Sequence, residues 1–139
     1  MSELPRFSLI VPSYNQGEFL EEALDSIWAQ DYPNLEVVVM DGGSTDGSRE
    51  IIERHASRLT YWQSQPDGGQ AAAIRAGFEK CTGELCGWLN SDDRLAPGAL
   101  RLVGETFATR PEVAWLYGSG RHIDRAGRPI GGFEHFRFD

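Results

Sequence analysis

The strongest constraint on this chain is its alternation of short apolar runs with helix-length amphipathic segments, which starts almost at the first residue. Phe7-Ser8-Leu9-Ile10-Val11 is apolar, partly β-branched and ends at Pro12, so it reads as a buried strand. Asn15-Gln16-Gly17-Glu18 has the spacing of a capping box. Behind it, Phe19, Leu20, Ala23, Leu24, Ile27 and Trp28 recur on one helical face. Leu35 to Met40 is a second buried strand, and the next helix carries Ile51 and Ile52. Leu59 to Gln63 is a shorter third strand, followed by a helix with Ala73, Ile74, Gly77 and Phe78 inward. Leu85 to Leu89 is the fourth strand. Pro97 suits the first turn of a helix with Leu100, Val103 and Phe107 on its apolar face. Val113 to Tyr117 is expected as a fifth strand, and residues 121–130 as a small hairpin.

Repeated strand-helix units imply an α/β fold with a mainly parallel sheet and helices on both faces. Ligands of such sheets bind at the carboxyl ends of the strands. Three polar loops lie at strand ends here: Pro12 to Gln16, Asp41 to Gly47 and Asn90 to Arg94. With 139 residues, 40% of them hydrophobic, one domain can bury a core without staples. The net charge of -8 argues against nonspecific nucleic-acid binding, which needs a basic face. No apolar run is long enough to span a bilayer, and Met1 to Pro5 lacks the regions of a signal peptide, so a cytoplasmic protein is expected. Cys81 and Cys86 fit neither a metal nor a redox spacing and are read as reduced core thiols, held apart by a helix end and a strand.

Asp92 and Asp93 are adjacent carboxylates, which raise each other's pKa unless a cation or hydrogen bonds compensate. Magnesium and manganese accept such oxygen ligands, often together with substrate phosphates. The same pair suits a solvated turn in which one Asp caps the next helix. Asp41, where the second strand emerges, could accept the N–H groups of uracil or guanine, with Gly42 and Gly43 admitting a planar base, or it could simply shape a turn. Thr45 and Asp46 read as capping residues. Tyr14, beside Pro12, Ser13 and Asn15, could stack on a base or pack on the first helix. Asp67-Gly68-Gly69-Gln70 precedes a helix amino end suited to phosphate, but a plain connection is equally consistent with it. It lacks the glycine-rich dinucleotide pattern and a P-loop lysine, Lys80 being the chain's one lysine. His55, His122 and His135 suggest no nucleophilic constellation.

Taken together these motifs resemble family 2 glycosyltransferases, whose donor domain has the GT-A fold, a Rossmann-like three-layer sandwich. Pro12-Ser13-Tyr14-Asn15 is similar to the family's Pro-x-Tyr-Asn element. Met40 to Asp46 resembles its Val-Asp-Asp-Gly-Ser-x-Asp nucleobase loop, and Gly83 to Asp93 its strand and Asp-x-Asp loop for ribose and metal. The segment from Asp67 and Gln70 to Gly77 is similar to an element lying along the donor. Two residues depart from the pattern: Gly42 stands for the second loop Asp, and Asn90 for the first Asp of Asp-x-Asp.

The resemblance implies inverting transfer of a sugar from a nucleoside diphosphate sugar, a UDP-sugar first, to a hydroxyl of a saccharide or lipid-linked acceptor, with manganese or magnesium. It implies donor contacts at Pro12, Ser13, Tyr14, Asn15, Asp41, Gly43, Asp67, Gln70, Asn90 and Ser91, with metal at Asp92 and Asp93. No transmembrane segment is expected, though peripheral contact at the cytoplasmic face of a membrane and an oligomer are compatible with it. The family's acceptor half and general base lie well beyond the metal loop, so residues 1–139 are expected to be a truncated donor-binding domain. Asp124, Glu134 and Asp139 are the late carboxylates, and none is assigned as base. Rival readings are a nucleotide-sugar-binding module without turnover and a phosphate-binding or signalling α/β domain that holds magnesium.

Overall fold

Successive side chains of a strand leave opposite faces of its sheet, and this alternation decides the layers. Along β1 (Phe7–Ser13) and β2 (Leu35–Asp41), Phe7, Leu9, Val11, Val37 and Val39 share one face. They pack on Leu20, Ala23, Leu24 and Ile27 of α1 (Gly17–Trp28), Ile52 of α2 (Ser48–His55) and Leu100 of α4 (Ala99–Thr109). Ile10, Val38 and Met40 occupy the opposite face and pack on Ala73 of α3 (Gln70–Phe78). The computed structural model, which describes residues 3–133, is therefore a three-layer α/β sandwich. Its β1 and β2 are covered on both sides and hold most of the fully buried side chains. Each such Val, Leu or Ile contributes roughly 1.5–3 kcal/mol, so stability is centred on this pair.

The sheet has the order β3-β2-β1-β4 and is parallel throughout, with β3 at Tyr61–Ser64 and β4 at Leu85–Trp88. Phe7 is in register with both Leu35 and Leu85. A buried polar cluster fastens the amino-terminal end of the sheet. Glu36 accepts hydrogen bonds from Ser8 Oγ (2.7 Å), Thr82 Oγ1 (2.8 Å) and the Thr82 amide (2.9 Å). The Gly83 amide donates to Ser8 Oγ at 2.8 Å. A Cβ on Gly83 would lie 2.7 Å from Ser8 N and 2.9 Å from Arg6 O, so only glycine lets the chain enter β4 this close to β1. A separate antiparallel hairpin joins β5 (Gly120–Ile123) to β6 (Pro129–Phe133).

Several local expectations are corrected. Val113 to Tyr117 is not assigned as a strand: no ladder joins it to another strand among the described residues, and Trp115 is 76% exposed. The Asn15–Glu18 capping box does not form. Asn15 takes a left-handed φ of 51°, and the amide of Gly17 is capped from another loop, by Asp46 Oδ2 at 2.9 Å. Asp46 also accepts from the amide and hydroxyl of Ser48, so it caps two helices, whereas the Thr45 side chain caps neither. Pro97 precedes α4, which starts after Gly98, and Phe78 points outward. Cys81 is half-buried, but Cys86 is exposed on the edge strand rather than in the core. The two free thiols are also not held apart: burial first, and then the nearby Cys86, push the Cys81 thiol up.

Candidate functional site

The chain steps outward from β1 to β2 to β3, then carries α3 across the opposite face and returns to the free side of β1 as β4. The helices that follow β1 and β4 pack on one face and α3 on the other, and a crevice opens at the carboxyl ends of β1 and β4 beside α3. Pro12 widens it. The Ile10 carbonyl accepts from Leu89 on the β4 side, and the Ser13 carbonyl accepts from Gly42 on the β2 side. By that alternation, the amide that proline lacks would have been the next rung toward β4.

A cavity of about 550 Å³ fills the crevice. Pro12 and Ser13 line it from the end of β1, Tyr14 and Gln16 from the loop that follows, and Gly42 from the loop after β2. Residues 66–70 with Ala73, and Asn90, Ser91 and Asp92, complete the wall. Three strand ends and the amino end of α3 thus meet at one place. Ser13 is 5% exposed, and its hydroxyl, beside the cavity, has no hydrogen-bond partner among the described residues. A buried hydroxyl left this way is costly unless something else supplies the partner.

The structure does not bring Asp41, Asn15 or Gly43 to the cavity wall. Asp41 is fully buried. Its Oδ2 accepts from Ser64 Oγ (2.8 Å) and the amides of Ser44 (2.9 Å) and Gly43 (3.2 Å), and its Oδ1 from Ser44 Oγ (2.6 Å). Asn15 links the first two loops, its amide donating to Ser44 Oγ at 2.8 Å and its Oδ1 accepting from the Thr45 amide at 2.9 Å. These residues shape the loops from behind. What reaches the cavity is bare backbone at Gly42, the Tyr14 ring, 63% exposed, and the carboxylate of Asp67. Gln16, Pro66, Gly68 and Gly69 also line the cavity, although the sequence motifs that contain or adjoin them assign no donor contact to these four residues. The glycine pair at 68 and 69 was the available signal, since both adopt positive φ.

At the other end, Gln70 Nε2 donates to Asn90 Oδ1, and Asn90 Nδ2 donates to Asp93 Oδ2 at 3.3 Å. Asn90 is thereby fixed between α3 and the acidic pair. Asp92 lines the cavity, while Asp93 stands behind it. Desolvation first, and the Asp92 charge second, push the pKa of Asp93 up against the lowering effect of the Asn90 hydrogen bond. Two adjacent carboxylates beside side-chain amide oxygens form a hard, oxygen-only donor set that fits magnesium or manganese, with phosphate and water completing the shell.

Elsewhere, Glu21, Asp25 and His55 gather three potential ligand atoms within 4.8 Å. His55 is already engaged on both sides, accepting from Trp28 Nε1 at 3.0 Å and facing Glu21 at 3.0 Å. The His55 hydrogen bond is the main reason that the Glu21 pKa is lowered. Asp124 accepts from the amides of Ala126 and Arg128 and from Arg128 Nε, closing the hairpin turn. Glu134, His135 and Asp139 lie outside the described residues.

A three-layer sandwich with a polar crevice at the switch point of its sheet defines an α/β ligand-binding domain. Residues 8–135 match the family described as Glycosyl transferase family 2. The chain is 31% identical over 132 residues to chondroitin synthase of Escherichia coli, covering 94% of this chain and 19% of that protein. It is 32% identical over 136 residues to an uncharacterized glycosyltransferase of Mycobacterium tuberculosis, covering 94% and 52%. Among solved structures, residues 1–349 of S. aureus TarS in complex with UDP-GlcNAc align with a TM-score of 0.68 and 28% identity, over 76% of this chain and 32% of that one. The mannosyltransferase PcManGT from Pyrobaculum calidifontis, in complex with GDP-Man and Mn2+, aligns with a TM-score of 0.66 and 34% identity, over 76% and 32%. The chain belongs to glycosyl transferase family 2 and has the GT-A fold. It spans between 10% and 52% of the length of the curated relatives compared. No described helix is long and apolar enough to cross a membrane.

Proposed function

We infer that the crevice between β1 and β4 holds the donor of an inverting glycosyl transfer, a nucleoside diphosphate sugar, for attack by a hydroxyl of a saccharide or lipid-linked acceptor. One observation carries this reading: an aromatic face with a carboxylate at one end, and the Asp92 carboxylate at the other, line one cavity of about 550 Å³. Tyr14 offers its exposed ring to the base. The unpartnered Ser13 hydroxyl and the Asn90–Ser91 segment face the ribose side, and the amino end of α3 faces the diphosphate. Asp92, backed by Asp93, would hold manganese or magnesium, which when bound neutralises charge building on the diphosphate as the glycosidic bond breaks. The chain's residues orient the donor and keep its leaving group in a fixed polar setting. Asp41 and Asn15 act from behind by fixing the loops.

Calorimetric titration with UDP and GDP, each with and without manganese, tests the reading. Wild-type chain is expected to bind at least one of them more tightly with the metal, and Asp92→Asn to lose that metal dependence. Equal affinity with and without manganese in the wild type would remove the metal role, and no binding of either nucleotide would remove the donor site.

A second reading, donor binding without turnover by these residues alone, is favoured by Asp124, whose two oxygens are engaged in the hairpin turn. On this reading the acceptor site and general base come from polypeptide outside residues 1–139. A donor recovered intact after incubation with chain, manganese and candidate acceptors is its expected sign.

A further inference from the structure

We propose that Asp67 is the residue that selects the nucleobase, taking a position left open by Gly42, and that it admits bases with a ring N–H on their pairing edge while rejecting cytosine and adenine. This rests on the donor-site reading above. A Cβ built on Gly42 would lie 3.1 Å from Asp67 Oδ1 and 3.3 Å from Tyr14 Cδ2. The Asp67 carboxylate thus occupies the space that a side chain at position 42 would enter, against the ring of Tyr14. The other loop carboxylate, Asp41, is fully buried and saturated by Ser44, Gly43 and Ser64, so it has nothing to offer a ligand.

Asp67 is differently placed. It is half-buried and lines the cavity, its Oδ1 accepts from the Gly69 amide at 3.0 Å, and its Oδ2 accepts no hydrogen bond among the described residues. An ionised carboxylate only accepts hydrogen bonds. Uracil N3–H, or guanine N1–H with its exocyclic amino group, satisfies it. Cytosine N3 and adenine N1 present a lone pair in place of the ring N–H, which repels the carboxylate and leaves only the neighbouring exocyclic amino group to donate to it. The Gly69 hydrogen bond and the packing against Gly42 hold the acceptor in place, which makes the choice a property of a fixed group.

The test is an exchange of carboxylates, read as the affinity for UDP and GDP relative to CDP and ADP with manganese present. Wild-type chain should prefer UDP or GDP. Asp67→Ala should weaken the preferred nucleotide by about tenfold or more, the loss of a charge-assisted hydrogen bond, and should bring the four nucleotides close to equal. Gly42→Asp alone crowds two carboxylates and should also weaken binding. The double variant Gly42→Asp/Asp67→Ala, with one carboxylate on the same edge, should recover the preference. Thermal melting without nucleotide establishes that each variant is folded. Preference retained in folded Asp67→Ala, or a folded double variant as unselective as Asp67→Ala, would overturn the assignment while leaving donor binding intact. A wild-type chain that binds none of the four would overturn both.

Discussion

At residue 41 the physics of burial decides between two roles that a strand-end aspartate can play. An isolated buried carboxylate is far more costly than the gain from any single hydrogen bond, so it persists only when its lone pairs are filled. Asp41 is filled by Ser44, Gly43 and Ser64, which tie the loop after β2 to the end of β3. Asp41→Ala leaves those donors without an acceptor, and a loss of about 3 kcal/mol in urea denaturation is expected. Asp41→Asn keeps part of the network and should lose less. A variant as stable as wild type would show that the loop stands without it. The position of Asp41 at the switch from buried strand to polar loop was legible in the sequence; the direction of its side chain was not. That direction depends on Ser64, distant in sequence and brought alongside by the β2–β3 register. The approach of Asp67 to Gly42 was hidden for the same reason, since no spacing rule links a loop after β2 to one before α3.

Elements were legible where periodicity and burial agree. Four strands and four helices emerge near their expected positions, because β1 and β2 are apolar on both faces and each helix has one apolar stripe. Val113 to Tyr117 failed because an apolar run states a propensity, whereas a strand also needs a neighbour to complete its ladder. The capping box failed because Asp46 supplied a stronger acceptor to Gly17 from across the loop junction. The cluster at the other end of the sheet makes a pH prediction. Burial alone would raise Glu36, but the hydrogen bonds from Ser8 and Thr82 and the Arg6 charge outweigh it and hold the carboxyl below the ordinary value of 4.5. A carboxyl lowered on folding contributes stability above its unfolded pKa, and that contribution disappears as pH falls through the folded one. Wild-type stability should therefore decline from about pH 5 downward. Glu36→Gln, less stable at pH 7, should decline less over the same interval. Parallel urea curves for the two proteins across that range would rule out this share for Glu36.

Across the whole molecule, stability and site lie on different sides of β1. The β1–β2 pair is buried on both faces, but β4 is an edge whose Cys86 and Trp88 are exposed, and it alone delivers the Asn90–Asp93 loop. Pro12 has removed the rung that would have fastened the end of β4 to β1. Local opening should therefore be easiest along β4 and its loop, the part that closes the cavity, and hardest along β1 and β2. A ligand bridging Tyr14 and Asp67 on one side to Asn90 and Asp92 on the other would supply the missing fastening. At a hundredfold excess over its dissociation constant, such a ligand stabilises the folded state by about 2.7 kcal/mol. Hydrogen exchange locates that gain. With UDP or GDP and manganese, amides of residues 85–93 and 67–70 should slow markedly. Those of Leu9 to Val11 and Val37 to Val39, already limited by global unfolding, should slow only as far as the whole protein is stabilised. Protection of the core strands with none at residues 85–93 would mean that the nucleotide binds away from the switch point. The crevice that the topology opens would then have no part in holding the donor.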